Sequence, residues 1–185
     1  GDGQLLVESQ PTPPGAKKRP QERTIPPRPA LVPSLEELYL HGAHLEQYKH
    51  HTYRPEDYYS EALRRDPQDL RCNLAMGRLS IEKGDFAAAR AHLDKAAARL
   101  KMRNDNPADT EALYHLGRLE RLEGKDDAAY RRFAEASWQY AWRAPSLFEM
   151  ACIDSKRGDR HTAIEHLQEA LSTNAGFVAA HVLLG

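Results

Sequence analysis

The sequence predicts an all-α solenoid of antiparallel helix pairs behind a proline-rich arm, and three observations carry that prediction. The stretch Glu111–Ala136 contains two short amphipathic runs separated by Gly124. Leu113, Leu116 and Leu119 keep helical spacing in the first run; Ala129, Phe133 and Ala136 keep it in the second. The arrangement recurs on both sides. Gly77, Gly84, Ala89, Leu93 and Ala96 occupy the matching places upstream, and Ala151, Gly158, Ala163, Leu167 and Ala170 do so downstream. The marker positions Gly42, Gly77, Gly117, Ala151 and Gly185 stand about 34–40 residues apart, a period typical of helical-hairpin repeats. A lone hairpin cannot bury both faces of both helices, so stacked copies are required.

Residues 1–33 are a different material. They hold eight of the twelve prolines, which excludes helix and favours extended, polyproline-like backbone. Gln4–Ser9 reads as the end of a strand, and Lys17, Lys18 and Arg19 form a small basic cluster. Two readings of this arm stay open: a linker from an upstream domain, or a segment lying on the repeats.

The repeats are expected over 34–185, in units of about 34–67, 69–100, 110–143 and 144–175 with a partial copy at 176–185. Ser34 is a good N-cap, with Glu37 placed for a capping box, so Ser34–His50 is the first helix. Pro55 opens the next, through Ala62, and Asp66–Pro67 ends it. Asp69–Lys83 and Asp85–Leu100 form the second pair. Lys101–Thr110 is a longer loop. Thr110–Glu123 and Asp126–Trp142 follow; Asp126 and Asp127 suit a helix N-terminus. Ala144–Pro145 is expected to break the chain before Ser146–Arg157 and Asp159–Thr173. Gly176–Gly185 opens another copy, leaving Val182, Leu183 and Leu184 on an uncovered face.

The two-helix unit and its G…G…A…F/L…A pattern resemble the tetratricopeptide repeat. That resemblance implies a superhelix whose first helices line a concave partner-binding surface. A wider resemblance rests on HLEQYKHHTYRPEDYYSEALRRDPQD, NLAMGRL and EASWQYAWRAPSLFEMACID. These are similar to the repeat region of large bacterial proteins carrying an upstream β-rich, galactose-mutarotase-like domain. It implies a carbohydrate-associated, multidomain parent and assigns no catalytic residue.

Composition narrows the function classes. The formal net charge is −1, which gives no long-range attraction to nucleic acid or an anionic membrane. No apolar run approaches the roughly 20 residues needed to span a bilayer, and no signal-peptide pattern is present. Cys72 and Cys152, in different repeats, read as small packing residues of a reducing, cytoplasmic compartment. There is no CxxC, HExxH, Walker loop or GxSxG. His41/His44, His50/His51, His161 with Glu165, and His166 complete no ligand set of recognisable spacing, so no metal and no cofactor is expected. A nucleophile built on Cys152 would need a positioned base, and an open groove excludes little water. The fragment is therefore not expected to be an enzyme.

Partner-binding residues follow from helical geometry. Positions three before, one after and four after each marker share a face. They give Tyr39, Leu74, Tyr114 and Phe148 as an aromatic or apolar ladder, beside Arg78, Arg118 and Arg121; Arg71 lies six before. Arginines fork onto carboxylates and tyrosines supply rigid contact area, which points to an acidic peptide as partner. The competing account pairs these arginines with Glu46, Glu82, Glu111 or Glu120 on neighbouring turns. The Asn- and Lys-based carboxylate clamp of chaperone-binding relatives is absent. Trp138 and Trp142, four apart, are expected to share a helix face, either packed on the next repeat or exposed as a sugar- or partner-stacking patch. The expected role is a protein–protein interaction scaffold. The alternatives are an accessory or dimerising part of a carbohydrate-processing protein, and self-association through the C-terminal face.

Overall fold

Four recurrent caps start the helices in the computed structural model, which describes residues 25–102 and 107–185. Ser34 Oγ accepts from the Glu37 N–H at the head of α1 (Leu35–Gln47), at 3.1 Å. Asp69, Asp85 and Asp159 do the same for α3 (Leu70–Glu82), α4 (Phe86–Lys101) and α8 (Arg160–Thr173). Each supplies an acceptor to a first-turn N–H, and the three aspartates add a negative charge at the positive end of the helix. Pro55 opens α2 (Pro55–Arg65), where its missing N–H costs nothing. The remaining helices are α5 (Glu111–Leu122), α6 (Asp126–Ala136), α7 (Tyr140–Arg157) and α9 (Val178–Leu184). Between paired helices the chain turns on Gly84, Gly124 and Gly158, all at positive φ (76°, 77° and 83°) where a side chain would be strained.

Every described element is helical or turn, and each helix packs on the next, so the pairs α1/α2, α3/α4, α5/α6 and α7/α8 stack into an α–α superhelix. Alternate first helices also touch, α3 with α5 and α5 with α7, and form one layer. The core is a series of small clusters shared between neighbours. Ile81, Leu93, Leu116 and Leu119 join the second pair to the third. Phe133, Met150 and Ile153 join the third to the fourth. Ala151, Leu167 and Ala180 join the fourth to α9.

Two expectations are corrected. Pro145 does not break the chain; it lies inside α7, which begins at Tyr140. Its φ suits a helix, and the loss is one N–H bond near the start. Gln139 caps the Trp142 N–H, and the Trp142 ring stacks on Tyr114 at 4.8 Å, so tertiary packing supports the extra turns. Correspondingly α6 stops at Ala136, six residues before the expected Trp142. Trp138 falls in the intervening turn. Trp138 and Trp142 therefore share no helix face.

The last part of the arm lies on the repeats. A short 3-10 turn at Pro29–Leu31 presses Val32, 2% exposed, into the cluster of Leu38, Tyr58 and Ala62. Tyr58 donates to the Pro27 carbonyl at 2.8 Å, and Arg65 donates to the Val32 carbonyl at 2.7 Å. Glu61 orients Arg65 from one turn earlier. The Gln4–Ser9 strand, the Lys17–Arg19 cluster and the rest of the arm before residue 25 lie outside the described residues.

Candidate functional site

Close helix approach at the marker residues sets the geometry of the first-helix face. An added Cβ on Gly42, Gly77 or Gly117 would meet Tyr59, Leu93 or Phe133 at 2.4, 2.6 and 2.8 Å. The second helices fill that side, so the opposite side of α1, α3, α5 and α7 is left to face the groove.

Tyr39 is half-buried; the Arg71 guanidinium lies over its ring, 4.4 Å from the centroid. Arg71 also bonds Glu36 at 2.5 Å, which holds that carboxyl below the usual range. Arg78 bonds Glu46 at 2.5 Å, and Glu46 accepts from the Tyr59 hydroxyl as well. Arg121 pairs with Glu149 of the next repeat. Arg118 has no carboxylate within ion-pair distance among the described residues. Three of the four predicted arginines are thus held by carboxylates, and Glu36, Glu46 and Glu149 all belong to an adjacent repeat.

The predicted ladder divides into three places. Tyr39, Arg71, Leu74 and Arg78 come together around a cavity of about 230 Å³, closed on the other side by Asp109 and Glu111. Arg118 and Arg121 line a second cavity of about 320 Å³ with Leu122 and Glu149. Tyr114 lies between them on α5, packed on Phe133 and Trp142. Burial pushes both the Tyr39 and Tyr114 hydroxyls up, so they remain neutral donors. Phe148 stands apart and packs edge-on against Phe177 at 5.3 Å.

Sequence reasoning missed Asp109, Leu122 and Glu149 as groove residues. Asp109 precedes α5 and carries no periodic signal; its carboxylate accepts from the Glu111 N–H. Trp142 was also missed as a neighbour of this face, stacked on Tyr114. Trp138 is 79% exposed beside an outer cavity lined by Lys101, Arg131 and Leu113.

The histidines make local contacts. His166 meets buried Asp154 at 2.9 Å, exposed His44 lies tilted against Tyr48, and His50 accepts from the Thr52 and Tyr53 N–H groups. Among the described residues no three metal-ligating side chains converge. Burial raises the Cys152 thiol, with Arg121 opposing the shift. No described helix is long and apolar enough to cross a membrane.

No family model matches the chain. Among solved structures it is similar to MamA, at a TM-score of 0.64 and 19% identity, over 81% of this chain and 78% of that one. A second MamA structure gives 0.62 and 20%, over 77% and 80%. PilW, described as a widely conserved type IV pilus biogenesis factor, gives 0.62 and 21%, over 82% and 68%. At these identities the likeness shows the fold: an all-α superhelix of tetratricopeptide type.

Proposed function

We propose that this chain is a protein-interaction module that holds an extended partner segment in its first-helix groove. The observation that carries the reading is a pair of cavities along the first-helix layer, one against Glu111 and one against Arg118 of α5, each with apolar and cationic walls. Such a floor offers rigid contact area with hydrogen-bond donors at its rim. Of the cations, Arg118 is the one placed to meet an acidic side chain of the partner, because Arg71, Arg78 and Arg121 already face carboxylates. The partner is a protein or peptide.

Site-specific photo-crosslinking in the host cell tests this. A benzophenone side chain at Leu74 or Arg118 is expected to capture a discrete partner, and one at the outer residue Arg131 is not. Equal capture at all three positions, or none at Leu74 and Arg118, would refute the groove.

One observation favours a second reading. The exposed indole of Trp138 suits a saccharide face, in keeping with a carbohydrate-associated multidomain parent. Saccharide titration followed by tryptophan fluorescence tests it; an unchanged spectrum with Trp142→Phe, which leaves Trp138 as the only indole, would end it.

A further inference from the structure

We infer that the groove is bipolar and selects a partner segment in polyproline-II conformation bearing opposite charges about three residues apart. This rests on the groove reading above and names the chemistry of its occupant.

Pairing decides which charges remain. Arg71 with Glu36, Arg78 with Glu46 and Arg121 with Glu149 form internally neutral pairs. At one end of α5, Asp109 and Glu111 face the first cavity with no Lys or Arg partner among the described residues. The titratable neighbour of Glu111 is the buried His115, 3.6 Å away. At the other end Arg118 faces the second cavity unpaired among the described residues. The residual field is therefore negative at Asp109 and Glu111 and positive at Arg118.

Spacing fixes the register. Glu111 and Arg118 are seven residues apart on one helix, two turns, so they share a face about 10.5 Å apart at about 1.5 Å per residue. Tyr114 stands between them on the same stripe. A polyproline-II segment advances about 3.1 Å per residue and returns a side chain to the same side every third residue, so two side chains three apart face the groove about 9 Å from each other, close to that separation. The partner places a Lys or Arg at Asp109 and Glu111, its stem on Tyr39 and Leu74. It places an Asp or Glu at Arg118. A uniformly acidic peptide would be repelled at the first cavity.

A displayed random-decapeptide library panned against the full chain, with the groove-blocking variant Leu74→Arg as counter-selection, is the test. Expected is enrichment of sequences with a basic and an acidic residue three apart, in one order. A synthetic consensus peptide should bind about tenfold more weakly to Arg118→Gln or Glu111→Gln, each losing a charged hydrogen bond. The peptide with its two charges exchanged should bind the Glu111→Lys/Arg118→Glu double variant better than it binds the parent chain. Peptides that need Leu74 but ignore both charges would overturn the bipolar register and leave the groove standing. If no peptide distinguishes the parent chain from Leu74→Arg, the groove itself falls. Circular dichroism of the two glutamine variants separates lost binding from lost fold.

Discussion

The tightest check on the architecture is Gly117→Ala. In a helix interior the change should stabilise by about 0.5–1 kcal/mol, because alanine has less freedom to lose. Here the new methyl would sit 2.8 Å from the Phe133 ring, where carbon contacts need about 3.5 Å or more. Phe133 is fully buried between α5, α6 and α7, so the ring has nowhere to go. Overpacking of this kind costs about 1–3 kcal/mol, so the net expectation is a loss of about 1 kcal/mol. The chain contains its own control: the fourth pair carries Ala151 and Leu167 at these positions, both buried. Gly117→Ala with Phe133→Leu recreates that combination. Phe133→Leu alone leaves a gap and should cost about 1–2 kcal/mol, part of which the alanine methyl refills. A double-mutant cycle should show about 1 kcal/mol of favourable coupling. Urea unfolding followed by circular dichroism reads it, with amide exchange along α5 and α6 to localise the effect, since stacked repeats open piecewise. If Gly117→Ala stabilises the chain and the two changes simply add, the close approach of α5 and α6 is wrong.

Three further outcomes follow from particular contacts. Val32→Ala and Arg65→Ala should each loosen the docked end of the arm, Val32→Ala by about 1.5–3 kcal/mol of lost burial; amide exchange at Leu31 and Val32, bonded to Arg28 and Pro29, should accelerate while α7 and α8 stay protected. Glu61, whose carboxyl is held down to about 2 by its hydrogen bonds to Arg64 and then Arg65, has a folded value below its unfolded one of about 4.3, so its contribution is present above about pH 4.3 and fades as pH falls toward 2. The same two amides should therefore exchange relatively faster, against other protected amides, across that window, and Glu61→Gln should abolish the pH dependence. Cys152 should react with a thiol reagent well before Cys72, because Cys72 is fully buried and its thiol is pushed up by burial and then by Asp69. Simultaneous labelling at a rate set by global unfolding would show that the groove is closed.

The repeat was legible because its demands are local and periodic. A glycine or alanine must face Tyr59, Leu93, Phe133 or Leu167, and a glycine must turn the chain, so both recur in register. The sequence predicts helices opening at Asp69, Asp85 and Asp159, and each of these aspartates caps the helix that follows it. The α6–α7 junction was not legible. Proline at 145 and the aromatic run around it read as a helix extended to Trp142 and then broken. What moves the junction is Trp142 stacking on Tyr114 from the preceding pair, a contact between residues 28 apart that no local propensity contains. The docked arm was open for a similar cause: Arg65 and Tyr58 recognise main-chain carbonyls, which every sequence has.

Groove charge failed to read from composition for a reason specific to repeats. A helix face shows which cations point inward, but in a stacked array each inward position also meets the adjacent repeat. Glu36 reaches Arg71, Glu46 reaches Arg78 and Arg121 reaches Glu149, across separations of 35, 32 and 28 residues. Outside the groove Arg90–Glu123 and Lys101–Glu135 repeat the device at 33 and 34. Such half-exposed pairs add little stability individually, about 0–1 kcal/mol. Their consequence is for recognition, because they cancel most of what a partner would sense and leave the charges that the stacking period strands. Counting arginines along α3 and α5 predicts a basic groove; counting after cross-repeat pairing leaves Asp109 and Glu111 against Arg118.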